Sequence, residues 1–256
     1  MAVLKDYKAD QLRVMIFDTR TAMGNEAGAQ AARCIRELLE KKKELNVIFA
    51  AAPSQNETLA ALLAAEDIDW GRVNAYHMDE YVGLDPEHPA GFRNYLRRTV
   101  FDRIPLKSVN LINGNAPDAK EEAKRYGELL REHPADVCLL GVGENGHLAF
   151  NDPPVADFED RNLAKVVELE ERCRRQQVND GCFELLEQVP AHAITVTIPG
   201  LTRAGHMFCS VPGTAKAEAV RDMLNGTVSC RCPASILTTH PGAVLYLDQG
   251  SAGYLL

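Results

Sequence analysis

Asp136–Val142, DVCLLGV, is a short apolar run that stops at glycine. Such a run reads as a strand buried on both faces, the kind found in parallel sheets covered by helices. Working outward, Ala119–His133 before it carries Glu, Lys and Arg on one side and predicts an amphipathic helix. The same alternation fills the N-terminal half. Strands are expected at Arg13–Asp18, Asn46–Ala52, Arg72–Met78 and Val109–Leu111, and helices at Asn25–Lys43, Asn56–Ala65 and Gly91–Ile104. Beyond the run, strands are expected at Leu163–Leu169, Ala193–Ile198, His206–Val211 and Ala243–Leu247. Helices are expected at Arg172–Leu186 and Thr214–Leu224. Alternating apolar strands and helices predict an α/β fold, a mostly parallel sheet with helices on both faces. No linker, low-complexity tract or fixed repeat interrupts residues 1–256, so one domain is expected.

The chain's 28 basic and 36 acidic side chains leave a net charge of −8, with a pI near 5.4. That balance argues against nucleic acid and anionic membranes as partners, because both require clustered Lys and Arg. It leaves room for a small anion, which a few local cations and backbone N–H groups bind. Lys5, Asp6, Lys8 and Asp10 follow Met1 where a signal peptide would have an apolar core. No stretch approaches the roughly eighteen apolar residues that span a bilayer. Seven scattered cysteines read as reduced thiols in a cytoplasmic protein. Cys230 and Cys232 lack a second Cys/His pair at zinc spacing, so no structural zinc site is expected.

In open α/β sheets ligands bind beyond the carboxyl ends of the strands. Three segments occupy such positions. Leu140–Pro154, LGVGENGHLAFNDPP, sets Gly141, Gly143 and Gly146 around Asn145 and His147, then delivers Asp152. Histidine suits proton transfer near neutral pH, and a carboxylate orients it. Tyr76–Leu84, YHMDEYVGL, offers Asp79 and Glu80, of which only one is expected to face a site because neighbours on an extended chain point opposite ways. Val211–Lys216, VPGTAK, places Gly213, Thr214 and Lys216 at a helix start, a pattern suited to phosphate. A plain turn, a helix cap and a solvated acid are the bland alternatives for these three segments.

These segments, with NLINGNAPD at Asn110–Asp118 and PASILTTHPGAVLYLD at Pro233–Asp248, resemble the glucosamine-6-phosphate deaminase family, relatives of the 6-phosphogluconolactonases. The resemblance implies a Rossmann-like sheet and conversion of a hexosamine 6-phosphate to a ketose phosphate and ammonia, with no metal or redox cofactor. It implies that Asp79 removes the C2 proton and His147 assists ring opening. Lys216, with Thr214, would clamp the phosphate. A small sugar phosphate is then the expected partner, and a homo-oligomer is left open. Galactosamine 6-phosphate as substrate, a 6-phosphogluconolactonase, and a non-catalytic sugar-phosphate-binding regulator are the alternatives.

The chain departs from the usual family pattern at four places. Asn145 and Asp152 stand where the family usually carries Asp and Glu, so Asn145 is expected to withhold a charge that supports His147. The glycine- and threonine-rich phosphate loop is replaced by Ala52–Thr58, where Ser54, Gln55 and Asn56 are the candidate binders and Glu57 is unfavourable unless it points away. The family arginine near Arg172–Phe183 has no clear counterpart. Arg174 and Arg175 read as a solvated face, and no role is assigned to Gln176, Gln177 or Asn179.

Overall fold

The computed structural model describes residues 2–256. In chain order its elements are β1 (Val3–Ala9), β2 (Leu12–Phe17), α1 (Arg20–Lys41), β3 (Leu45–Phe49), α2 (Asn56–Leu63), β4 (Val73–His77), β5 (Asp79–Tyr81), α3 (Phe92–Thr99) and β6 (Ser108–Asn110). They continue as α4 (Ala119–Glu132), β7 (Val137–Leu140), β8 (Ala164–Glu168), α5 (Glu171–Asn179), β9 (His192–Val196), α6 (Ile198–Thr202), β10 (His206–Val211), α7 (Ala217–Asn225) and β11 (Ala243–Asp248). Eight strands form one sheet in the order β1-β2-β11-β10-β7-β3-β4-β6. Every pairing in it is parallel except β1 with β2. Among the described residues no helix is long and apolar enough to cross a membrane.

The strand sequences explain why both faces are covered. Along β2, Leu12, Val14 and Ile16 enter one apolar cluster while Met15 and Phe17 enter the other. In β7, Cys138 and Leu140 divide from Val137 and Leu139 in the same way. Residues of α4, α6 and α7 fill the first cluster, and residues of α1, α2 and α3 the second. Each large apolar side chain so buried contributes roughly 1.5–3 kcal/mol relative to exposure.

Four expectations need correction. Val3–Ala9, which carries no strand signal in the sequence, is β1 and forms a hairpin with β2 through Asp10, whose φ is 55°. Its side chains are largely exposed, so no apolar alternation marks it; Arg13 of β2 instead pairs with Asp6 at 2.7 Å. The strands β8 and β9 do not join the parallel sheet. With β5 they form a separate antiparallel sheet in the order β5-β9-β8. The helix α5 ends at Asn179, well short of Leu186. The helix α1 begins earlier than expected, because Thr19 caps it by accepting the Ala22 N–H at 3.2 Å.

The sheet order positions the site. From β3 the chain adds β4 and β6 on one side, then returns to lay β7 and β10 on the other. The carboxyl ends of β3 and β7 therefore diverge, the crevice where α/β sheets bind ligands. The small sheet takes over where β4 ends, so Asp79 starts a new strand immediately past Met78, at that crevice.

Candidate active site

A cavity of about 330 Å³ lies over these strand ends. Its wall takes Ser54 and Gln55 from the loop after β3, Asp79 from β5, Gly143 and His147 from the loop after β7, and Gly213, Thr214 and Lys216 from the loop after β10. All three segments singled out in the sequence thus meet in one place.

Asp79 and Glu80 separate as the alternation requires. Asp79 faces the cavity. Glu80 accepts the backbone N–H groups of Tyr81, Phe92 and Arg93 at 2.9–3.1 Å, and so anchors the start of α3. Burial, with the adjacent Glu80 charge, pushes the Asp79 carboxyl up to about 8. His77, two residues earlier, is structural: its Nε2 accepts the Ile112 N–H at 2.8 Å, and burial pulls it down to about 3.

His147 is buried, and its Nδ1 lies 2.8 Å from Asp152 Oδ1, within ion-pair distance but off line for a good hydrogen bond. Asp152 is only 1% exposed. Burial works against its charge, but His147, the Asn145 amide and the Glu170 backbone N–H outweigh it and hold the carboxyl below its ordinary value. The Asn145 amide donates to Asp152 Oδ1 at 2.9 Å and to Glu170 Oε2 at 2.7 Å, while its oxygen accepts the His147 N–H at 3.2 Å. Cys173 lies behind this group; its sulfur, a His147 ring nitrogen and an Asp152 oxygen are within 4.8 Å of one another. Burial and then the Asp152 charge push the Cys173 thiol well up, so it stays protonated and faces Asp152 as a donor.

Gly143 explains how His147 reaches the cavity. A Cβ there would lie 2.2 Å from the imidazole ring, so only glycine lets the ring fold over the strand end. We expect Gly143→Ala to lower kcat roughly tenfold or more by displacing the ring, with little change in melting temperature; steady-state rates and a thermal melt check this. Gly213 has a φ of 92° and opens the loop that carries Thr214 and Lys216; its N–H donates to Asp248 at 3.0 Å.

Lys216 is buried at the cavity wall. Burial pulls its ammonium below the ordinary lysine value, and Asp180 and then Glu144 oppose that shift. Both acids line the cavity with Gln176 and Gln177. Gln176 accepts the Glu144 N–H at 3.0 Å and donates to Asp180 at 3.3 Å. The helix α5 therefore supplies amides in the region where the family resemblance implies an arginine. Arg174 donates to the carbonyls of Leu186 and Val189, and Arg175 pairs with Glu171 on the surface.

Two expected binders do not reach the cavity. Asn56 is exposed at the start of α2 and accepts the Tyr95 hydroxyl. Gly146 has a φ of 82° and forms the turn of its loop, packed against Cys232 Sγ. Gln55 lines the wall, but its amide donates to Ser54 Oγ at 3.2 Å and to the Ser210 carbonyl at 3.0 Å, tying the loop to β10. Sequence reasoning missed Arg20. It lines the cavity from the first turn of α1, and its Nε donates to Glu57 Oε1 at 2.8 Å. That pair removes the concern over Glu57. The signal was present: Arg20 follows an apolar strand at the same ligand edge.

Known proteins resemble this chain over most of its length. Residues 18–246 match the family model described as glucosamine-6-phosphate isomerases/6-phosphogluconolactonase. A glucosamine-6-phosphate deaminase of an Exiguobacterium species is 36% identical over 229 residues, covering 89% of this chain and 87% of its own. One from Listeria monocytogenes is 36% identical over 222 residues, covering 86% and 93%. A solved monomeric glucosamine-6-phosphate deaminase superposes with a TM-score of 0.85 at 29% identity, over 94% of this chain and 98% of that one. The 6-phosphogluconolactonase of Thermotoga maritima shares the fold, with a TM-score of 0.73 at 17% identity over 92% and 98%. With the three segments brought to one cavity and these matches spanning most of its length, the chain belongs to the glucosamine-6-phosphate isomerase/6-phosphogluconolactonase family.

Proposed function

We propose that the protein converts a hexosamine 6-phosphate, with glucosamine 6-phosphate the first choice, and water to a ketose 6-phosphate and ammonia. The observation that carries this reading is a buried carboxyl, Asp79, sharing one cavity with Lys216 and with His147, which Asp152 backs at 2.8 Å. His147 hands a proton to the ring oxygen and takes one from the C1 hydroxyl, which opens the pyranose to the aldehyde. The C2–H beside that carbonyl is then acidic, and Asp79 removes it to give an enolamine. Proton return at C1 yields a ketimine, to which water adds and from which ammonia leaves. Thr214 and Lys216 hold the phosphate, and that remote binding energy keeps C2 against Asp79. A lactonase would need no carbon base, and the buried Asp79 favours the deaminase. The seven free cysteines support a cytosolic setting.

Asp180 and Glu144 oppose a phosphate beside Lys216. We expect Asp180→Asn, which keeps the acceptor for Gln176, to lower KM for the phosphorylated substrate roughly threefold to tenfold while leaving kcat near its starting value. The test of the function is a panel of hexosamine 6-phosphates and 6-phosphogluconolactone, with ammonia, ketose phosphate and lactone followed separately. Ammonia and ketose phosphate in equal amounts are expected. Lactone loss without ammonia would overturn the reading.

A further inference from the structure

We propose that Glu170 is a positioning residue for His147, acting through the Asn145 amide and Asp152. The proposal rests on His147 being the proton shuttle described above. One amide group has two N–H donors. Asn145 gives one to Asp152 Oδ1 at 2.9 Å and the other to Glu170 Oε2 at 2.7 Å, and its oxygen takes the His147 backbone N–H at 3.2 Å. Both donors and the acceptor of the side chain are engaged. Glu170 stands at the N-cap of α5 yet makes no side-chain cap bond there; its carboxylate turns to Asn145 instead. The result is a line from His147 through Asp152 and Asn145 to Glu170, with a carboxylate at its far end.

This line changes what Asn145 means. The charge expected at position 145 has moved one hydrogen bond further out, to Glu170. An aspartate at 145 would set three carboxylates near one another and remove the amide that bridges Asp152 and Glu170. Asn145 and Glu170 are therefore a matched pair, and restoring an acid at 145 alone harms the site. The other titratable groups nearby are Cys173 of α5, behind Asp152, and Asp79, Glu144, Asp180 and Lys216, which line the cavity with His147; Arg172 donates to the Glu144 carbonyl. A change confined to Glu170 leaves all of them in place.

The test compares the whole protein with Glu170→Gln, Asn145→Asp and the double variant. The His147 ring titration by NMR and the pH profile of ammonia release are both read. Glutamine can still accept from Asn145, so Glu170→Gln is expected to fold, and removal of the Glu170 charge is expected to move the His147 titration and the matching limb of the profile to lower pH. Asn145→Asp is expected to lose more than about tenfold in kcat. In the double variant the glutamine amide introduced at position 170 donates to the new carboxylate, and most of that loss is expected to return. An unmoved titration in Glu170→Gln, or a double variant no better than Asn145→Asp, overturns the proposal. Should Asn145→Asp fail to fold, the Glu170→Gln titration alone decides. That titration needs no turnover, so absence of ammonia release from the unaltered protein would sink the proposed function without touching this result.

Discussion

Replacing Asp79 by Asn is expected to lower kcat by about a thousandfold or more, and at the same time to stabilise the protein in alkaline solution. The two effects have one cause. Asp79 is buried beside Glu80, and its carboxyl is pushed up to about 8. The native state therefore holds a proton that the unfolded chain releases near its ordinary value of about 4. Below that value the group costs nothing. As pH rises from about 4 toward 8 the native state loses stability relative to the unfolded one, and above 8 the penalty is complete. Asparagine has no charge to desolvate, so at high pH the variant should be more stable by on the order of a few kcal/mol and melt several degrees higher. Near pH 4 the two proteins should melt alike. The same shift predicts that kcat/KM of the unaltered protein rises with pH until about 8, since a carbon base works only when ionised. Thermal melts at the two extremes of pH and a pH–rate profile check both halves.

The second large effect is expected at Asp152. Asp152→Asn should cut kcat by about a hundredfold to a thousandfold with little change in KM. Asp152 is almost fully buried, 2.8 Å from His147 Nδ1, and in the proposed reaction its charge would support the imidazolium formed when His147 takes a proton. An amide there cancels that support and allows the ring to choose the other tautomer. Steady-state rates with a circular-dichroism melt separate this loss from unfolding. Because Asp152 is held below its ordinary value, its stabilising charge is present at neutral pH and lost on acidification as the carboxyl takes a proton.

How far the sequence reaches is visible at particular residues. The apolar strand β7 and its glycine turn mark the sheet and its ligand edge, because a buried parallel strand has no polar face to blur the signal. The placement of Asp79, His147 and Lys216 at one cavity is legible for the same reason: each lies in a segment that follows a strand end. The antiparallel sheet is not. β5 is only three residues long and starts two residues after β4 ends, so no periodicity distinguishes it from a loop. The strand β1 is hidden because an edge strand with exposed side chains needs no apolar alternation. The partners of polar side chains are beyond reach for a different reason. Arg20 meets Glu57, and Asn145 meets Glu170, across separations in sequence that only the packed chain brings together. Asn145 thus reads as a missing charge, whereas the folded protein places a carboxylate one hydrogen bond away.

The most direct measurement follows the C2 proton itself. The unaltered protein and the Asp79→Asn variant are given glucosamine 6-phosphate deuterated at C2, with ammonia release and the label followed together. The unaltered protein is expected to release ammonia more slowly from the deuterated sugar than from the ordinary one. The deuterium is expected at C1 of the ketose product or in the solvent. Neither label transfer nor ammonia above background is expected from the Asp79→Asn variant. Ammonia release at an undiminished rate from that variant would contradict the account.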